Sequence, residues 1–514
     1  MRFITKSLYL LLLAAPATVY AQKSNSNSDN RNFAVIKPED SAAEIVRKAA
    51  MVVPSPAQLR WQQLELTAFF HMGVNTFTNR EWGTGKEDPA IFNPTNLDAR
   101  QWVREAKVTG IKQVILTAKH HDGFCLWPTA TTKHSVKSSP WKNGKGDVMK
   151  EVAAACKEYD MGLGVYLSPW DMNSPLYGTD AYNDLFVDQL TELLTQYGKI
   201  DEVWFDGANG EGSNGKKQVY DFDRWYAHIR KLQPAAIIAI MGPDVRWVGT
   251  ETGYCRETEW SVVPTANLDQ NVTAANSQQG IAFKPQGDMR GNDLGSREKI
   301  RNTTGLVWYP AETDVSIRPG WFYHPAEDNK VKSPEKLLDI YYSSVGRNGV
   351  LLLNIPPDTR GLIHESDVKS LREWKRLRDA TFRTNLAAGA KIKISAGKNS
   401  KALLDGKYNT YYTTKTIKDT TATIELQLKG NQTFDVLLLQ ENIAVGQRIE
   451  KFTFEYWDNG QWQKVTEGTT VGYKRLLRFE PVTASKVRLR IESSRLNPTV
   501  SEIGLYKNAL IQNN

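Results

Sequence analysis

The chain has 514 residues, 40% of them hydrophobic, with three cysteines and a net charge of +8 from 65 basic and 57 acidic side chains. That length exceeds one ordinary domain, and mild basicity without a dense Lys/Arg block gives no nucleic-acid footprint. Cys125, Cys156 and Cys255 stand apart, without metal-ligand or redox spacing, which leaves room for one disulfide at most.

The first residues have the make-up of a secretory leader. Arg2 and Lys6 flank the start of an apolar run from Leu8 to Ala15, and Val19-Tyr20-Ala21 offers small residues where a signal peptidase reads. A signal peptide over 1–21 is expected, with export to the periplasm or the extracellular space. Residues 22–45 are expected to form a flexible segment, because the Ser/Asn/Lys-rich stretch lacks periodic apolar positions. No later stretch approaches the roughly 20 apolar residues that a membrane span needs. Nothing in the pattern sets an oligomeric state.

From residue 46 to 383, apolar runs of strand length alternate with helical periodicity. A helix over 97–107 precedes a strand over 110–118, and Asp147 caps a helix running toward Tyr159. A strand over 162–168, a helix over 181–197, a strand over 202–206, a helix over 222–232 and a strand over 236–240 follow. This alternation predicts a parallel sheet covered by helices, and its length favours a (β/α)8 barrel over an open sheet. Beyond a helix over 368–377 the texture changes. Residues 384–514 carry short alternating runs, such as 421–428, 434–439, 452–456 and 486–491, with an Asn459-Gly460 turn, and read as an all-β sandwich.

Polar residues follow the apolar strands: His120 and His121, Tyr166 and Trp170, Asp206, then Asp244 and Glu251. In a β/α barrel the C-terminal strand ends carry the site. Asp206, ending Glu202-Val203-Trp204-Phe205, suits a fixed nucleophile or equally a helix cap. Glu251 lies among Trp247, Tyr254 and glycines, where partial burial would raise its pKa toward that of a general acid; Glu257 and Glu259 are rivals. The adjacent His120 and His121 are a poor chelate for one metal ion and better hydrogen-bonding partners for hydroxyls. His71 reads as a core or a ligand-binding histidine.

The runs Lys119-His120-His121-Asp122-Gly123-Phe124-Cys125-Leu126-Trp127, Glu202 to Gly207 and Asp244 to Gly253 together resemble the α-L-fucosidases of glycoside hydrolase family 29. The likeness is greatest to the branch acting on α-1,3- and α-1,4-linked fucose in Lewis-type glycans. The resemblance implies a retaining hydrolase of fucosylated glycans that needs no cofactor and no metal. It makes Asp206 the nucleophile and Glu251 the general acid/base. It places His71, Glu81, Trp82, His120, His121, Tyr166 and Trp321 around the sugar, with Glu312 toward the aglycone. The segments 404–412 and 500–506 resemble the discoidin, or galactose-binding-like, sandwich, for which bracing the barrel or binding sugar are both open. Trp457 and Trp462 are either a binding platform or a cross-strand pair. The competing readings are an α-L-fucosidase of broader linkage, a retaining glycosidase for a sugar of similar stereochemistry, and a glycan-binding protein without turnover.

Overall fold

The computed structural model describes residues 31–265 and 293–510. The leader expected over 1–21 lies outside them. Among the described residues eight strands build the barrel sheet of the N-terminal domain: β1 (Leu66–Phe70), β2 (Gln113–Lys119), β3 (Gly162–Leu167), β4 (Glu202–Phe205), β5 (Ile237–Ile240), β6 (Arg246–Trp247), β7 (Ala311–Ser316) and β8 (Val350–Asn354). They are hydrogen-bonded in the order β5-β4-β3-β2-β1-β8-β7-β6, every neighbouring pair parallel. This is a nearly closed TIM-like barrel. Nearly every strand residue is buried, because one face fills the barrel and the other packs on helices.

The helices begin where side chains satisfy their free N–H groups. Asp98, Asp147, Asp221 and Ser333 cap the helices Ala99–Val108, Val148–Glu158, Phe222–Leu232 and Pro334–Ser343. The seam between β5 and β6 is held by Asp244. Its backbone N–H donates to Ile238 O at 3.3 Å and its carboxylate accepts from Ile238 N at 2.8 Å, while Arg230 pairs with it.

Part of the segment expected to be flexible is structured. Phe33–Val35 pairs antiparallel with Gly305–Trp308, which also pairs with Val262–Pro264, and Ala42–Met51 is a helix capped by Ser41. Ile45, Ala49 and Val52 pack with Leu306, Trp308 and Ile443. A three-residue strand stabilised by a partner some 270 residues away leaves no local signature. The three cysteines are free and buried, so the disulfide for which the sequence left room does not form.

After the helix Glu365–Phe382 the chain enters an antiparallel sandwich led by two 20-residue strands, Ala422–Glu441 and Arg475–Ser494, with bulges where they bend. Val436, Leu438, Leu476 and Tyr506 belong to the same apolar cluster as the barrel helices. Lys474 makes a 2.6 Å ion pair with Glu65, Arg478 a 2.6 Å bond to Asp339, and Gln447 bonds to Ser261 N and Glu259 O. One face of the sandwich is thus occupied in bracing the barrel. On the hairpin around Asn459-Gly460, Trp457 and Trp462 form a cross-strand edge-to-face pair, with Lys486 over both rings.

Candidate active site

The C-terminal ends of the barrel strands converge on one set of polar groups. Asp206 follows directly on β4. Its Oδ1 accepts from Ala208 N at 2.7 Å and its Oδ2 from the Tyr166 hydroxyl at 3.1 Å, with His121 Nε2 at 4.0 Å. Tyr166, on β3, stacks with Trp204 and with His120. Burial, then the Asp206 charge, push its phenol well above the usual range, so it stays a neutral donor.

Neighbouring hydrogen bonds set the histidine tautomers. Asn354, ending β8, uses its amide N–H groups on Ser316 Oγ (2.9 Å) and Trp321 O (2.8 Å), so its Oδ1 accepts from His71 Nδ1 at 2.8 Å. Burial pushes His71 down to about 3, which keeps it neutral with Nε2 as an acceptor. Ser168 donates to Trp170 O and therefore accepts from His121 Nδ1, both at 2.7 Å, leaving His121 Nε2 with its lone pair near Asp206. His120 is also buried and held neutral by burial, and its ring centroid lies 4.1 Å from that of His121. Both rings lie in the loop just past the end of β2, where the alternation of the strand no longer sends neighbouring side chains to opposite faces. Two lone pairs and a carboxylate, set among aromatic faces, suit the hydroxyls and ring of a sugar.

Glu251 is exposed in the connection beyond β6. Val248 N donates to Glu312 O at 2.8 Å and Gly253 N to Asp314 O at 3.2 Å, which ties this connection to β7. Gly253 has φ +77°, and a Cβ there would sit 2.8 Å from Ile340 Cγ2. Surrounding protein, then the Asp206 charge, push the Glu251 carboxyl above the ordinary range, against a hydrogen bond from the Trp321 side chain. That is the condition a general acid requires.

Alternation along β7 turns Glu312, Asp314 and Ser316 to the same face, with Glu312 deepest. Glu312 is therefore not an aglycone contact. It is fully buried in the barrel, bonded to Trp204 Nε1 at 2.7 Å beside Glu202. Asp314, not anticipated from the sequence, takes the place nearer the mouth: it accepts from Trp247 Nε1 at 2.8 Å and interacts with Glu251 and Asp206. Among the rivals, Glu259 is buried against Arg246 and Arg256, and Glu257 pairs with Arg475 of the sandwich.

Glu81 joins two loops over the site. It accepts from Trp321 N (2.7 Å) and Phe322 N (3.2 Å) and bonds to His324 Nε2 (2.5 Å). Trp321 lies tilted against His71, 5.4 Å between centroids, and Arg318 anchors the same loop through Asp367 and Asp328. Trp82 is half exposed, edge-on to His121 and Trp170. The residues missed by sequence reasoning, Ser168, Asp314, His324 and Asn354, are mostly partners of the recognised ones. Only Asp314 had a signal, the alternating acidic positions 312 and 314.

Comparison with known proteins identifies the family. Residues 56–376 match the family model for alpha-L-fucosidase, and residues 387–504 match the F5/8 type C domain. The chain is 45% identical over 465 residues to alpha-L-fucosidase 1 of Arabidopsis thaliana, covering 88% of this chain and 87% of that one. A solved structure from Bacteroides ovatus, provisionally assigned as an α-L-fucosidase, is 52% identical with TM-score 0.82, covering 93% of this chain and 78% of that one. A Ruminococcus gnavus family 29 fucosidase solved in complex with fucose is 33% identical with TM-score 0.77, covering 94% and 98%. The chain belongs to the α-L-fucosidases of glycoside hydrolase family 29, enzymes that act on fucosylated glycans, with a discoidin-like domain behind the barrel.

Proposed function

We propose that this enzyme releases terminal α-1,3- and α-1,4-linked fucose from Lewis-type glycans, with net retention through a covalent fucosyl-enzyme. The observation that carries the mechanism is Asp206, fixed at the tip of β4 by Tyr166 and Ala208 N, with Glu251 on the connection beyond β6, its carboxyl raised first by desolvation and then by the Asp206 charge. A carboxylate oxygen of Asp206 bonds to the anomeric carbon as the glycosidic bond breaks, and the Glu251 proton goes to the leaving oxygen. Water then loses a proton to Glu251 and attacks the same carbon, which frees Asp206 and restores the starting configuration. In this reading His71, His120, His121 and Trp321, which surround Asp206 with ring faces and nitrogen lone pairs, hold the fucosyl ring.

Fucose release from Lewis-type trisaccharides and an α-1,2-fucosylated glycan, by wild type, D206A and E251A, tests this. The reading expects faster release from the branched substrates, abolished in D206A and strongly reduced in E251A. Release mainly from the α-1,2 glycan would overturn the linkage, and full activity in E251A would overturn the acid/base. Export to the periplasm or beyond rests on residues 1–21. A mature N-terminus near Gln22 is expected, and an unprocessed Met1 would contradict it.

A further inference from the structure

We propose that Lys119, the last residue of β2, is a positioning residue of the site: its buried ion pair with Asp171 holds the loop beyond β3 against His121. The inference rests on the reading that His121 meets the fucosyl ring beside Asp206.

Lys119 is 0% exposed, and its ammonium uses all three donors inside the protein. They go to Asp171 Oδ2 at 3.1 Å, the Tyr182 hydroxyl at 3.1 Å and Gln189 Oε1 at 3.0 Å, the last two on the helix Asp180–Gln196. Tyr182 in turn donates to Pro169 O at 2.8 Å. The other carboxylate oxygen of Asp171 accepts from Asn173 N at 3.0 Å and Ser174 N at 2.8 Å, which shapes the loop itself. Gly123 lies so close that a Cβ there would collide with Asp171 Oδ1, so the loops beyond β2 and β3 are locked together. Main-chain bonds run alongside, from Ser168 N to Lys119 O at 3.0 Å and from Met172 N to His121 O at 2.8 Å.

The loop held in this way carries the partners of His121. Ser168 Oγ fixes the ring at Nδ1, and the Trp170 ring lies 5.1 Å from it between centroids. Asn173 extends the hold, donating to Gly85 O at 2.8 Å in the loop of Glu81 and Trp82. A buried polar network with every member satisfied is rigid, and this one ends on the ring beside the nucleophile. Lys119 is fully enclosed, so it acts on the sugar only through that ring.

The test compares K119M with wild type on a fucoside that the wild type cleaves, in the His121 and H121A backgrounds. Without Lys119 the His121 ring is less firmly held, and KM rises by about tenfold with a smaller fall in kcat. Damage to the fold alone lowers the active fraction, and with it kcat, but leaves KM where it was. In H121A the same substitution changes KM by less than about twofold, because the group it acts through is absent. A KM unmoved by K119M, or an equal rise in both backgrounds, overturns the proposal. Should K119M not fold, Y182F decides. It keeps the ion pair but removes the bonds to Lys119 and Pro169, and raises KM by about threefold; a wild-type KM in Y182F overturns the proposal. H121A alone separates the two readings. If H121A keeps wild-type kinetics, the contact of His121 with the sugar fails and the proposal falls with it; if H121A is impaired while KM stays put in the other variants, only the role of Lys119 fails.

Discussion

Tyr166 donates its phenol hydrogen to Asp206 Oδ2 across 3.1 Å while its ring stacks with both His120 and Trp204. With Ala208 N on the other oxygen, this bond orients the carboxylate before any sugar arrives. A hydrogen bond to an ionised group contributes about 1.5–3 kcal/mol. Y166F should therefore lower kcat/KM by roughly 10- to 100-fold with an unchanged fold by circular dichroism. Wild-type kinetics in Y166F would remove the phenol from the account of Asp206.

Glu81 acts on the site by holding its lid. Its two oxygens receive three groups of the 321–324 segment, and glutamine offers a single acceptor oxygen. E81Q should raise KM by about tenfold, on the basis of one lost bond of roughly 1–1.5 kcal/mol, with a smaller effect on kcat. A Michaelis constant equal to that of wild type would show that Trp321 is placed without Glu81.

The Glu202–Glu312 pair below the site gives a stability prediction with a definite sign. Burial is the first cause for both; it pushes Glu202 up to about 7, and burial plus the Glu202 charge push Glu312 well above the ordinary range. The folded state therefore retains protons that the unfolded chain releases near pH 4.5. The contribution is fully present below that pH and is lost as pH rises through about 7. Thermal melts should show Tm falling over this window in wild type and falling less in E312Q. An identical pH dependence in the variant would exclude the pair as its source.

Lys474 and Glu65 form a largely buried ion pair between sandwich and barrel. Removing one member leaves the other charge uncompensated, at a cost of about 3–5 kcal/mol. K474M should unfold at distinctly lower denaturant than wild type, whereas the double variant K474M/E65L should recover part of the loss. Equal midpoints for all three would remove this ion pair from the account of the junction.

The barrel was legible because β2 to β5 are apolar runs set between helical patterns, and the ionisable tip of β4 carried Asp206. β7 was not legible, because Ala-Glu-Thr-Asp-Val-Ser fills the barrel with polar groups and lacks that signature. Without the strand, the depth of Glu312 relative to Asp314 could not be read, and Glu312 was given an aglycone role that its burial excludes. The tautomers of His71 and His121 depend on Asn354 and Ser168, and the first of these lies 283 residues away. Such pairings are made by the closure of the barrel and leave no local pattern.

The central claim is that Asp206 forms the covalent intermediate. Incubation with a 2-deoxy-2-fluoro-L-fucosyl fluoride slows the second step more than the first and lets the ester accumulate. Proteolysis and mass spectrometry of the inactivated enzyme should place one fluorofucosyl group on the peptide containing Asp206. A label on another carboxylate, with the Asp206 peptide unmodified, would contradict the account.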